Sequence, residues 1–196
     1  MRILLVPLLW LALALPASAD KLSLSAISSY LNTLRTAEAE FTQINDDGTI
    51  STGRILIKRP GRIRFEYNPP EKSLVLASSN AVYVIDLKSN QPPATYPLGR
   101  TPLSIILADN VNLGRAKMVT GHKYDGKATT VVAQDPEHPE YGNIELKFTG
   151  PKPQLRQWII NSEGSRTTVI LGDLKTGGAI KNSVFRVDPY LPKNDR

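Results

Sequence analysis

The run Arg62-Ile63-Arg64-Phe65-Glu66-Tyr67 alternates strictly, with charged groups on one side and bulky apolar groups on the other. That period of two is the mark of a strand with one face buried. The same pattern recurs along the chain. Ala37, Ala39 and Phe41 alternate with Glu38, Glu40 and Thr42, and Ile50 to Lys58 is again extended after the turn cluster Asn45-Asp46-Asp47-Gly48. Pro69-Pro70 ends one run, and Ser78-Ser79-Asn80 separates strands over 73–77 and 81–87. Further strands are predicted at 94–97, 115–120, 128–134, 143–149, 154–161, 166–173 and 183–187. Asp125-Gly126 and Glu163-Gly164 are placed as hairpin turns. So many short runs joined by turn residues require a mainly antiparallel β protein.

Two segments depart from the period of two. Leu24, Ile27, Leu31 and Leu34 share one face of a helix predicted over 23–35, with Ser23 or Ser25 as its cap. Thr101-Pro102-Leu103-Ser104-Ile105-Ile106-Leu107-Ala108-Asp109 opens with a capping residue and a proline suited to the first helical turn. It is too apolar for a solvated helix and too short to stand alone, so it must lie on an apolar surface. The tail from Pro189 to Arg196 is polar and is expected to fray.

Residues 1–19 read as a secretory signal peptide: a basic start at Arg2, an apolar run from Ile3 to Leu15, and Pro16-Ala17-Ser18-Ala19 as the cleavage site. The remaining domain, residues 20–196, has 177 residues and 23 basic against 18 acidic groups, a net charge of +5. A chain of that size buries roughly 70% of its unfolded surface and needs no covalent staple. The sequence has no cysteine, which excludes disulfides, thiolate metal sites, a cysteine nucleophile and a lipid-modified N-terminal cysteine.

Catalytic and metal signatures are weak. Asp135, Glu137, His138 and Glu140 cluster, but Pro136 and Pro139 break any regular ligand spacing, so no metal and no cofactor are expected. Gly121 to Ala128 approaches the phosphate-binding loop pattern. However, Ala128 lacks the hydroxyl that would hold magnesium, and a strand follows where a helix is needed. No nucleophile elbow occurs. The basic stretch Lys58 to Arg64 reads as a turn followed by one solvated strand face rather than a nucleic-acid site. The chain is therefore not expected to be an enzyme or to bind nucleic acid.

Taken in order, several segments resemble the LolA-like periplasmic carriers of outer-membrane lipoproteins. These are Phe41-Thr42-Gln43 after the first helix, Gly53 through Tyr67 with its Lys58-Arg59-Pro60-Gly61-Arg62 core, the Pro69-Pro70 turn, Val82 to Leu87, and the Thr101-Pro102 helix. The resemblance implies an incomplete, half-open antiparallel barrel of about eleven strands covered by a helical lid. It implies that Arg59 latches the lid by bonding to the carbonyls of Leu31, Ile106 and Leu107. Leu31, Leu34, Leu103, Ile105, Ile106 and Leu107 would belong to the lid helices. Ile63, Phe65, Tyr67, Leu74, Leu76, Val82 and Val84 are candidates for the acyl chamber or the ordinary core. Leu103 and Ile63 stand where enterobacterial members commonly carry aromatics. The resemblance further implies a monomeric periplasmic carrier. Its partners would be outer-membrane-directed lipoproteins, an inner-membrane lipoprotein-releasing ABC transporter and an outer-membrane acceptor lipoprotein. A lipid- or lipoprotein-sensing regulator of the same fold is the alternative, and a lipid hydrolase is a third, weaker one.

Overall fold

A computed structural model describes residues 20–89 and 91–191, so the expected signal peptide lies outside the described residues. The chain starts with α1 (Leu24–Thr33). Ser23 is its cap, its Oγ accepting a hydrogen bond from the Ala26 N–H at 3.1 Å. Six strands follow: β1 (Thr36–Ile44), β2 (Ile50–Lys58), β3 (Arg62–Tyr67), β4 (Ser73–Ser78), β5 (Ala81–Asp86) and β6 (Ala94–Pro97). The short α2 (Leu103–Leu107) leads to β7 (Val119–Tyr124), β8 (Ala128–Gln134), β9 (Asn143–Thr149), β10 (Gln154–Ser162), β11 (Ser165–Leu171) and β12 (Lys175–Thr176).

All twelve strands belong to one antiparallel sheet, ordered β6-β5-β4-β3-β2-β1-β11-β10-β9-β8-β7, with β12 also pairing β1. The β1–β6 and β7–β11 meanders join through the β1–β11 ladder, where Phe41 faces Leu171. β6 and β7 form the two ends of the sheet and are not paired, so the barrel stays open. The segment that connects them carries α2, so the chain itself spans the gap.

Local chemistry sets the hairpins. Ser79 and Asn80 (φ +50° and +61°), and Glu163 and Gly164 (φ +53° and +76°), form two-residue turns with both central residues left-handed, the geometry that matches strand twist. Gly53 has a different reason. A Cβ there would sit 2.0 Å from the Glu66 carbonyl oxygen of the neighbouring strand, so only glycine fits.

Three expectations are corrected. The strand predicted at 115–120 begins at Val119, because residues 112–118 turn, with Lys117 at φ +61°. Residues 183–187 are not a strand: Asn182–Phe185 forms a 3-10 turn that crosses the outside of the sheet instead of joining an edge. Thr101 does not cap α2 through its side chain, since its hydroxyl donates to the Leu98 carbonyl at 2.9 Å.

Two apolar clusters result. The larger fills the concave side, where Ile27, Leu31, Leu103, Ile106 and Leu107 from the helices meet the inward face of the sheet. The smaller lies outside, where Phe185 covers Leu56 and Leu76, flanked by Tyr83, Ile180 and Val184. Basic side chains fasten this outer segment. Lys58 Nζ donates to the Ile180 carbonyl at 2.6 Å, Arg64 Nη1 to the Val184 carbonyl at 2.9 Å, and Arg64 Nη2 to the Tyr190 hydroxyl at 3.3 Å. The β2–β3 charges therefore do not form the solvated face expected of them. Of the tail, the described residues end at Leu191: Asp188–Tyr190 forms a 3-10 turn, and the rest lies outside the described residues.

Candidate functional site

The concave face and its lid form the candidate site. Register decides which side chains enter it. Ile63, Phe65 and Tyr67 pair with Ile57, Ile55 and Gly53 of β2, and all three side chains join the concave cluster. Phe41 stacks edge-on against Phe65 and Tyr67, with ring centres 5.3 and 5.2 Å away. On β4, Ala77 faces Ile63 and Val75 faces Phe65. The concave residues there are thus Val75 and Ala77, and the pattern of Leu74 and Leu76 is off by one. Leu76 packs in the outer cluster and Leu74 shares its face; both are buried away from the lid. Val82 is concave and buried, whereas Val84, on the same face by register, is 41% exposed at the rim. A two-residue turn pairs Ser78 with Ala81, and that pairing is the signal that would have selected Val75 and Ala77.

The lid residues Leu31, Leu34, Leu103, Ile105, Ile106 and Leu107 are all buried in the concave cluster. Arg59 lies at the end of β2, 6% exposed. Its Nε and Nη2 both donate to the Ala108 carbonyl, Nε at 3.0 Å, and its Nη1 donates to the Leu31 carbonyl. Nη2 also reaches Asn32 Oδ1 at 3.2 Å. These are carbonyls at helix ends, which carry the negative end of the helix dipole and have acceptor capacity left over; that of Leu31 also accepts from the Leu34 N–H at 3.2 Å. Leu31 is an acceptor as expected, but Ile106 and Leu107 are not. The Leu107 carbonyl is taken by the Gly61 N–H at 2.9 Å, and the chain becomes extended at Ala108, which turns that carbonyl toward Arg59. Burial depresses the Arg59 pKa, the Arg35 charge adds to this, and Asp109 opposes it. An arginine nonetheless remains charged.

Sequence reasoning missed the groups that knit the lid together. Asn32 Nδ2 donates to the Val111 carbonyl at 2.9 Å, and its Oδ1 accepts from the Val111 N–H at 2.8 Å. Ser28 Oγ accepts from the Leu113 N–H at 3.0 Å. The start of the helix is tied to the other half of the sheet. The Leu22 N–H donates to buried Thr129 at 3.0 Å, and the Tyr30 hydroxyl accepts from the Leu155 N–H at 3.1 Å. In sequence these are ordinary polar residues of α1 and β8, with no signal that sets them apart. Inside, the Tyr67 hydroxyl donates to Gln43 at 2.7 Å, and burial pushes its pKa up to about 12.

The acidic loop is accounted for locally. Asp135 accepts from the Glu137 N–H at 2.8 Å, Glu140 pairs with His138 at 2.9 Å, and Glu137 pairs with Arg115 at 2.6 Å. Gly121 to Ala128 is the β7–β8 hairpin. No helix among the described residues is long and apolar enough to cross a membrane.

The architecture defines a class: open antiparallel half-barrels whose apolar concave face is closed by a helical lid. A family model described as "Outer membrane lipoprotein carrier protein LolA" matches residues 32–188, and the chain belongs to that family. An outer-membrane lipoprotein carrier protein of Coxiella burnetii (strain CbuK_Q154) is 26% identical over 182 residues, covering 88% of this chain and 85% of that one. The carrier protein of Azotobacter vinelandii (strain DJ) is 23% identical, covering 94% and 92%. Among solved structures, a DUF1329 family protein from Desulfovibrio piger superposes with a TM-score of 0.53 at 11% identity, over 85% of this chain and 96% of that one. This last likeness concerns the fold alone.

Proposed function

We propose that the protein ferries lipidated proteins through the periplasm, holding their acyl chains between the concave face and the displaced lid. Each buried methylene is worth about 0.8 kcal/mol, so acyl chains do not cross water at useful rates without a host. The observation that carries this reading is the lid. Six apolar lid side chains occupy the concave face, and the guanidinium of Arg59 fastens both lid elements. The cavity beside α2 is about 210 Å³ and is lined by Asn110, Asn112, Arg115 and Asp135 as well as Ile105, Val111 and Met118, so it is not itself the acyl chamber. The lid side chains fill the concave face, so acyl chains enter only when the lid moves. Arg59 acts as the latch that favours the empty closed state, and this keeps net cargo affinity moderate and allows release.

On this reading the chain is exported, cleaved after Ala19 and active as a monomer. It receives cargo from an inner-membrane ATP-driven releasing transporter and delivers it to an outer-membrane acceptor lipoprotein, performing no catalysis itself. The absence of any cysteine supports a shuttle rather than a lipid-anchored acceptor. The test is a release assay: purified protein is incubated with spheroplasts making a labelled lipoprotein. A soluble one-to-one complex is expected, and failure to release any lipoprotein would refute the carrier role.

A further inference from the structure

Polar atoms within the concave core are paired with one another or with backbone: Thr129 accepts from Leu22, Tyr67 donates to Gln43, and Arg59 donates to the lid carbonyls. Trp158 differs. It is completely buried, and its Nε1 is the one buried side-chain nitrogen or oxygen among the described residues that has no hydrogen-bond partner. The indole N–H can only donate. Buried without an acceptor it costs stability, a cost that phenylalanine at the same place would avoid. The residue sits mid-wall on β10, opposite Leu146 and Val169, with its ring edge-on to Phe65 at 6.3 Å, in the cluster that α1 and α2 close.

We propose that Trp158 is a ligand-binding residue whose indole N–H donates to an acyl carbonyl, the ester or amide group that joins a fatty chain to its head. This inference rests on the carrier reading above and names the chemistry that the chamber selects. A hydrocarbon wall grips any chain equally and sets no depth. A single donor within it is satisfied only when a carbonyl stands opposite, so it fixes how far the chains enter and prefers acyl over alkyl lipids. The closed lid leaves that donor unpaired, and cargo supplies the missing acceptor.

The test compares two synthetic lipopeptides with chains of equal length, one ester-linked dipalmitoyl and one ether-linked dihexadecyl, on wild type and Trp158→Phe. Wild type should bind the ester about five- to tenfold more tightly than the ether, the worth of one net hydrogen bond. Trp158→Phe should abolish the preference while still binding both. In the mature form lacking residues 1–19, which keeps Trp158 as its one tryptophan, the 15N-labelled indole N–H resonance, assigned by its loss in the variant, should move downfield with the ester only. A phospholipid with the same palmitoyl esters forms a further arm, and a matching shift there extends the site to free lipid. Equal binding of ester and ether by wild type, or a preference that survives Trp158→Phe, would overturn the carbonyl role and leave the carrier reading standing. No binding of either lipopeptide by wild type would overturn both.

Discussion

Replacing Arg59 with leucine tests the lid mechanism directly. The substitution keeps an apolar stem at a 6% exposed position and removes all five donors. The carbonyls of Leu31 and Ala108 lose their charged donor, Leu31 keeping only the bond from the Leu34 N–H. Hydrogen bonds to a charged group contribute about 1.5–3 kcal/mol each, so the gross loss is about 3–6 kcal/mol. Removing a guanidinium that is buried beside the Arg35 charge returns part of this. A net loss of about 3 kcal/mol moves the closed-to-open ratio roughly a hundredfold toward open. A ligand that binds only the open form gains affinity by the same factor until that form predominates. The assay is titration with a fluorescent dipalmitoyl lipopeptide, followed by the rate of its release to acceptor vesicles. Arg59→Leu should bind about ten- to a hundredfold more tightly and release correspondingly more slowly. Arg59→Lys should fall between, because an ammonium cannot reproduce the fork that spans two carbonyls. A folded Arg59→Leu protein whose affinity and release rate lie within about twofold of wild type would refute the latch, since the expected shift is far larger.

Three further outcomes follow from the packing. Gly53→Ala brings a Cβ to 2.0 Å from the Glu66 carbonyl oxygen, so β2 and β3 must part. Urea unfolding should show a loss of about 3 kcal/mol or more, or no folded protein. Phe185→Ala should cost about 3–5 kcal/mol by opening the outer cluster, yet leave lipopeptide affinity unchanged in the folded protein, because Phe185 lies on the far side of the sheet from the lid. Tyr67 titrates at 10.0 when unfolded and about 12 when folded, so the unfolded chain loses the proton first as pH rises. Its contribution is complete below the unfolded value and declines up to the folded one, by about 2–3 kcal/mol at most. The urea midpoint should fall between about pH 9 and pH 12 more steeply in wild type than in Tyr67→Phe.

What the sequence made legible was governed by local rules. Period-two runs and paired turn residues located most strands to within a residue or two, and the largely apolar stretch after Pro102 could only be a covered helix. Long-range events were not legible. Leu74 and Leu76 carry the same apolar signal as the chamber residues, and only the passage of residues 180–190 across the outside of the sheet gives their face something to pack against. The lid acceptor shifted from Ile106 and Leu107 to Ala108 because the Gly61 N–H, contributed by a distant turn, takes the Leu107 carbonyl first. Trp158 reads in sequence as one more core aromatic. Its unpaired N–H becomes visible only when every neighbour is placed.

The distribution of polar ties also explains why Arg59 has so large a share in holding the lid. α1 is bonded to the β7–β10 side through Tyr30, with the adjacent Leu22 bonded to Thr129. It is bonded to residues 111–113 through Asn32 and Ser28, so helix and connecting segment behave as one piece. Toward the β1–β6 half, every hydrogen bond that α1 makes among the described residues comes from Arg59. Apolar contacts remain across that seam, but they are non-directional and are recovered equally well against a lipid chain. Cargo can therefore replace the lid's hydrocarbon contacts with its own, while the carbonyls of Leu31 and Ala108 have no such substitute in an acyl chain. The polar cost of opening thus falls on the Arg59 side chain together with the Gly61 N–H bond to the Leu107 carbonyl, and the seam parts on the β3 side while α1 stays with the opposite wall.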